Sequence, residues 1–205
     1  MINPKEYFSA GLALHGHKCP AMPMGLRAGA IAMNKLEVER ATDGQLLALV
    51  EIGERHCATC FADGVQMITG CTFGKGNIQK LSHGKWGLTL VDKRSQKAVR
   101  VAPLAAAMQA NKASEFFQSY RMKGVPASQV PPTVVESLIE KVMNAPAENL
   151  FHVSEVFDYP FTEPQHSFES FVCELCGEMV AEPYGRIKLG QKVCIPCADR
   201  NVHPS

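Results

Sequence analysis

Neither sign of charge dominates this sequence. Its 21 Lys and Arg against 20 Asp and Glu leave a formal charge of +1. Nucleic-acid domains carry a basic excess or stripe, so the balance argues against nucleic acid as the main partner. Long apolar runs are missing as well: none approaches the roughly 18 residues that cross a bilayer, so no membrane role is expected. The opening residues Met1–Glu6 carry one lysine, and the apolar stretch Phe8–Leu14 stops at His15. That is not a secretory signal, and a cytoplasmic location is expected. Low-complexity tracts are absent too. With 46% hydrophobic residues over 205 positions, the chain can bury a core.

What the sequence has in plenty is cysteine, eight residues, together with seven histidines. In a reducing compartment, paired CxxC motifs read as metal or redox sites rather than as a disulfide framework.

Local patterns predict a mixed α+β domain. Helices are expected over 3–15 and 23–39. The apolar run Gln45–Ile52 reads as a strand buried on both faces. A helix over 60–69 follows, then the glycine-dense turn Gly70–Asn77, then a hairpin of Trp86–Val91 and Lys97–Ala102. Helices over 103–122 and 133–143 and a strand over Phe151–Phe157 complete a core of residues 1–160. Pro160–Ser170 reads as a linker within a second region, 161–205. The turn resembles a phosphate loop only superficially. Gly70 to Lys75 is GxxxGK, one residue short of the motif, and Gly76 stands where Ser or Thr would meet magnesium.

Cys173-x-x-Cys176 and Cys194-x-x-Cys197, separated by 17 residues, have the spacing of a four-thiolate zinc finger. Each tight turn supplies one edge of a tetrahedron. A unit this small buries too little apolar surface to fold without its metal. Four filled positions make the site structural.

The second group lies between residues 15 and 71. His17 and Cys19 are two apart, so an extended loop points both to one side. Thiolate with imidazole suits zinc or another late transition metal. His15 is a further ligand or an orienting partner. Cys57 and Cys60 form a CxxC where a helix begins, with Asp63 three residues on and Cys71 in the glycine turn.

Leu14-His-Gly-His-Lys-Cys-Pro20, followed by Gly25 and Arg27, resembles the HGHxCPG signature of the FmdE family, named after one component of formylmethanofuran dehydrogenase. Cys60–Asn77 resembles that family's CxxDAIQxxTGCTxGKGN signature, and the terminal CxxC pairs resemble the zinc finger appended in many members. Ala21 stands where the family has glycine, Gly64-Val65 replaces Ala-Ile, and Cys57 falls outside the pattern. The resemblance implies a thioredoxin-like α+β core, a mixed sheet flanked by helices, followed by a treble-clef or ribbon-type finger. It also implies that His17, Cys19 and Cys60, with Asp63 and Cys71, line a metal-holding active site.

The reading that follows is a protein with structural zinc at Cys173, Cys176, Cys194 and Cys197. An open site of zinc or another transition metal sits at His17, Cys19 and Cys60, and Cys19, Cys60 and Asp63 are its candidate catalytic residues. An accessory role in methanogenesis-related C1 or redox metabolism, within an oxidoreductase complex, is expected. A homodimer is expected from the apolar content near 103–122. The alternatives are a thiol-redox protein using Cys57 and Cys60, and a scaffold module whose finger recruits a partner.

Overall fold

The computed structural model describes residues 1–55, 59–164 and 167–199. The chain divides into two compact units, Met1–Phe161 and Thr162–Ser205. In chain order the first unit holds α1 (Phe8–His15, entered through a 3-10 turn at Pro4–Tyr7), α2 (Ala21–Leu36), β1 (Leu46–Val50), α3 (Cys60–Thr69) and β2 (Ile78–Lys80). It continues with β3 (Leu88–Asp92), β4 (Lys97–Pro103), α4 (Ala105–Lys112), α5 (Pro132–Asn144), α6 (Ala147–Leu150), β5 (Phe151–Val153) and β6 (Phe157–Asp158).

The sheet order is β2-β1-β3-β4-β5, with β6 also on β4. Strands β1 and β2 are parallel and the other pairings antiparallel, so the sheet is mixed and helices pack against it. Alternation along β1 sends Leu46, Ala48 and Val50 into the main core and Leu47 and Leu49 into a second cluster with Val91 and Ala98. The expected double burial of this strand is what the structure has.

Helix α2 is the axis of the core. Twelve of its 16 residues are buried. It crosses α3 at very close range, because the crossing point has no side chains on either side. A Cβ on Gly25 would overlap the Phe61 carbonyl oxygen, and one on Gly64 would lie 2.6 Å from the Leu26 backbone nitrogen. Arg27, also on α2 and 9% exposed, donates to the carbonyls of Val142 and Ala145, each at 2.6 Å. A guanidinium there caps the carbonyl end of α5 and opposes the helix dipole.

Three elements differ from the sequence expectation. Strand β2 was not foreseen: Ile78-Gln79-Lys80 is short, polar and at the sheet edge, where charge blunts further pairing. The expected single strand over 151–157 is broken. Ser154 takes an extra position against β4, its Oγ accepting from the Arg100 amide at 2.9 Å. The expected helix over 103–122 also breaks. None of the residues of α4 is fully buried, and the chain leaves the helix so that Phe116 can enter a cluster with Val130, Val135 and Leu138. It does so as a π-helical turn, Phe116–Tyr120, followed by 3-10 turns at Arg121–Lys123 and Ala127–Gln129.

One buried ion pair gives a stability prediction. Glu51, 5% exposed, receives both Arg100 Nη2 (2.9 Å) and Arg100 Nε, and its carboxylate fills the space left by Gly87. The Arg100 hydrogen bonds hold the Glu51 carboxyl below its usual range, outweighing burial. A depressed folded value contributes stability that is complete above the unfolded carboxyl pKa, and this stability is lost as pH falls from about 5 through the folded value. Glu51→Gln is expected to cost about 2 kcal/mol at pH 7. That is less than for a fully buried pair, because the Arg100 side chain is 36% exposed. Urea unfolding of the variant should also depend less on pH below 5.

The second unit holds β7 (Ser170–Val172), β8 (Met179–Ala181), β9 (Gly185–Lys188), β10 (Gln191–Cys194) and α7 (Ile195–Ala198). β7 pairs with β8 and β9 with β10, both antiparallel. Its small core is Cys173, Val193, Cys194 and Cys197. Among the described residues, no helix is long and apolar enough to cross a membrane.

Candidate metal centres and the chain's relatives

In the finger, the ligand atoms of Cys173, Cys176, Cys194 and Cys197 all lie within 4.8 Å of one another. The β7–β8 hairpin turns through Cys173–Gly177, with the Gly177 amide donating to the Cys173 carbonyl at 2.9 Å. The amide of Cys194 donates to Cys173 Sγ at 3.3 Å. Backbone donors, that of Cys176 foremost, bring the Cys173 thiol down to about 6. These amides stabilise sulfur as thiolate, the form that binds metal.

In the core, His15, His17, Cys19 and Cys60 bring one ligand atom each to within 4.8 Å of the others. Local structure explains the convergence. Helix α1 ends at His15 because Gly16 takes φ +88°, which turns the chain back so that His17 faces His15. Their Nε2 atoms are 3.2 Å apart. Pro20 then starts α2, whose first amides, of Met22 and Ala21, point at Cys19. Cys60 is the first residue of α3, which the glycine crossing holds against α2.

The Cys19 and Cys60 thiols are joined by a hydrogen bond that shifts them in opposite directions. The Cys60 side-chain hydrogen bond is the main cause that lowers Cys19 to about 7, aided by the α2 amides and opposed by burial. The same bond, together with burial, pushes the Cys60 thiol upward. Burial chiefly, then the charges of His15 and Arg121, lower His17 and favour its neutral, ligating form.

Asp63 sits behind the donors. Its Oδ2 is 2.7 Å from His15 Nδ1, which leaves His15 Nε2 toward the cluster, 3.4 Å from Cys19 Sγ. This is the carboxylate–histidine arrangement that orients metal-binding imidazoles. Gln66, one turn along α3, donates to Asp63 Oδ1 at 3.4 Å and accepts from the Phe73 amide at 3.0 Å. The sequence expectation overlooked Gln66. Its i+3 spacing from Asp63 was the available signal.

Two residues of the expected site stand outside the donor cluster. Asp63, expected to be catalytic, touches His15 and does not line the cavity described below. Cys71, implied to line the site, is fully buried in the main core, where burial raises its thiol to about 11. Cys57 lies outside the described residues. The glycine turn is a staple. Asn77 bonds the Thr72 amide (2.8 Å) and the carbonyls of Asp43 and Leu46 (3.2 Å each), and Lys75 Nζ reaches the Ala41 carbonyl at 2.9 Å. Its polar groups are spent on the chain itself.

His17, Cys19 and Cys60 open onto a cavity of about 360 Å³, whose other walls include Trp86, Phe116, Phe117 and Arg121. The donor set, two thiols and two imidazoles, fits a late transition metal.

Comparison with known proteins agrees with this architecture. The chain is 35% identical over 194 residues to a probable S-adenosyl-L-methionine-binding protein of Archaeoglobus fulgidus, covering 90% of the chain and 50% of that protein, so it spans about half the length of this curated relative. Its fold matches the crystal structure of a tungsten formylmethanofuran dehydrogenase FmdE-like protein from Syntrophus aciditrophicus. The TM-score is 0.67, at 21% identity, covering 98% of this chain and 95% of that one. Residues 166–203 match the prokaryotic DksA/TraR C4-type zinc finger, which agrees with zinc binding by the four clustered cysteines. Residues 14–152 match the family described as FmdE, molybdenum formylmethanofuran dehydrogenase operon. The chain is thus a metal-binding member of the FmdE family with a C4 zinc finger at its C-terminal side.

Proposed function

We propose that the chain carries two metals: a structural zinc in the finger and a second zinc-type ion in the core. The core ion is held by the expected His17, Cys19 and Cys60, which leaves its fourth position open, with His15 beside it. The single observation that carries this reading is the convergence of four soft or borderline donors, backed by Asp63 on His15 Nδ1. Three of the four also line the cavity, which leaves a side from which a ligand approaches. A bound metal there supplies Lewis acidity. The chain's own residues do the rest. Asp63 fixes the His15 tautomer, Gln66 fixes Asp63, and the apolar walls exclude water.

The core domain, 1–160, is read as thioredoxin-like. The order β2-β1-β3-β4, with the parallel β1-α3-β2 crossover and the β3–β4 hairpin, supports this. The second domain, 161–205, is read as treble-clef, with two hairpins and a short helix that begins beside Cys194. By its family, the protein serves as an accessory component of an oxidoreductase complex of the formylmethanofuran dehydrogenase type.

Metal analysis of anaerobically purified full-length protein tests the two sites. The intact chain should hold two metals per chain, and Cys19→Ser and Cys173→Ser one each. An unchanged metal content in Cys19→Ser would overturn the core site. The contact between Cys19 and Cys60 favours one second reading, a dithiol pair. It predicts no core metal and a reversible Cys19–Cys60 disulfide, read by thiol titration.

A further inference from the structure

We propose that the core cavity selects a carboxylate with a planar apolar body, the carboxylate seated on Arg121. The proposal rests on the two-metal reading only for where the ligand's other end lies.

Among the described residues, Arg121 is the one formally charged residue lining this cavity, and no Asp or Glu lines it. Among the described residues no carboxylate pairs with Arg121. Its Nη1 donates to the Val125 carbonyl at 2.6 Å. This bond fixes the guanidinium while its remaining donors stay available. A planar fork held this way matches a carboxylate through two parallel hydrogen bonds.

The backbone makes a second, independent observation. The amide of Arg121 closes the π turn by donating to the Phe116 carbonyl. π turns are rare and cluster at functional sites. This one brings Phe116, Phe117 and Arg121 into the lining of the cavity onto which His17, Cys19 and Cys60 open. Phe117 and Trp86, both partly exposed, offer apolar ring surface for a planar ligand body. A volume of about 360 Å³ lies at the small end of ligand sites, which suits one ring and a short side chain.

Trp86 is the only tryptophan in the sequence, so its fluorescence reports binding directly. Full-length protein is titrated with 3-phenylpropionate, 3-phenylpropionamide and 3-phenylpropylamine, both as purified with metal and after chelation of the core ion. Saturable quenching by the acid at least tenfold tighter than by the amide, with the amine weaker still, is expected. Arg121→Met should abolish the preference for the acid, and Arg121→Lys should keep part of it. The melting temperature of each variant shows that it is folded. Equal binding of acid and amide, no saturable quenching by any probe, or an unchanged preference in folded Arg121→Met overturns the proposal. Arg121-dependent acid binding to a protein that carries no core metal as purified anaerobically would sink the metal reading and leave this one standing.

Discussion

Chelating the zinc of the full-length protein is expected to melt residues 170–198 while the Met1–Phe161 unit keeps its fold. The finger's buried core consists of Val193 and three of the cysteines themselves. Its larger apolar side chains point outward: Leu175, Met179, Tyr184, Ile187 and Leu189 are all exposed. Burial that meagre cannot offset the conformational entropy of ordering some 30 residues. A structural zinc contributes on the order of 10 kcal/mol of folding free energy in such units. Amide exchange measured by NMR would read this directly. Protection at Phe171, Val180 and Val193 should vanish on chelation and return with zinc, while protection at Leu90 and Val99 stays. Persistent protection in the finger after zinc removal would refute the claim.

The second large effect is expected at the crossing of α2 and α3. Gly64 faces the Met22 carbonyl and the Leu26 amide nitrogen, and Gly25 faces the Phe61 carbonyl. Both obstacles are backbone, so no side chain can move aside. A single added methyl, Gly64→Ala, should cost about 1–3 kcal/mol, as overpacking usually does. Gly64→Val should exceed about 4 kcal/mol, the range reserved for severe core disruption. The same helices carry Cys19 and Cys60 at their starts, so the valine variant should also lose the core metal, if any soluble protein remains. Urea unfolding measures the first effect and metal analysis the second. A valine variant within about 1 kcal/mol of the parent would mean that the crossing is not as close as described.

How much of this was legible in the sequence depended on distance along the chain. The finger was readable because its four ligands come as two local pairs at a fixed spacing. His15, His17 and Cys19 were readable for the same reason, and Cys60 and Asp63 through a long motif. Which role Asp63 takes was not readable. Its partner His15 is 48 residues away, and only the folded packing of α1 on α3 decides that the carboxylate orients an imidazole. Arg27 reaches α5 across 115 residues. Arg121 belongs to no local motif, since a π turn has no period to announce it. Cys71 looked like the other cysteines in sequence, and only burial among Leu, Val and Ile side chains separates it from them.

The donors and most of the cavity's remaining lining come from different stretches of the chain. Among the described residues, 15–60 supply every donor of the core cluster, whereas 116–128 supply most of the cavity lining outside those donors. The stretch from α4 to Val130 buries little beyond Phe116, so its sequence is under few packing constraints. Chemistry and choice of ligand can therefore drift apart over evolutionary time. Exchanging residues 113–130 between relatives is the natural graft for retuning what such a protein accepts while its metal-binding apparatus stays in place.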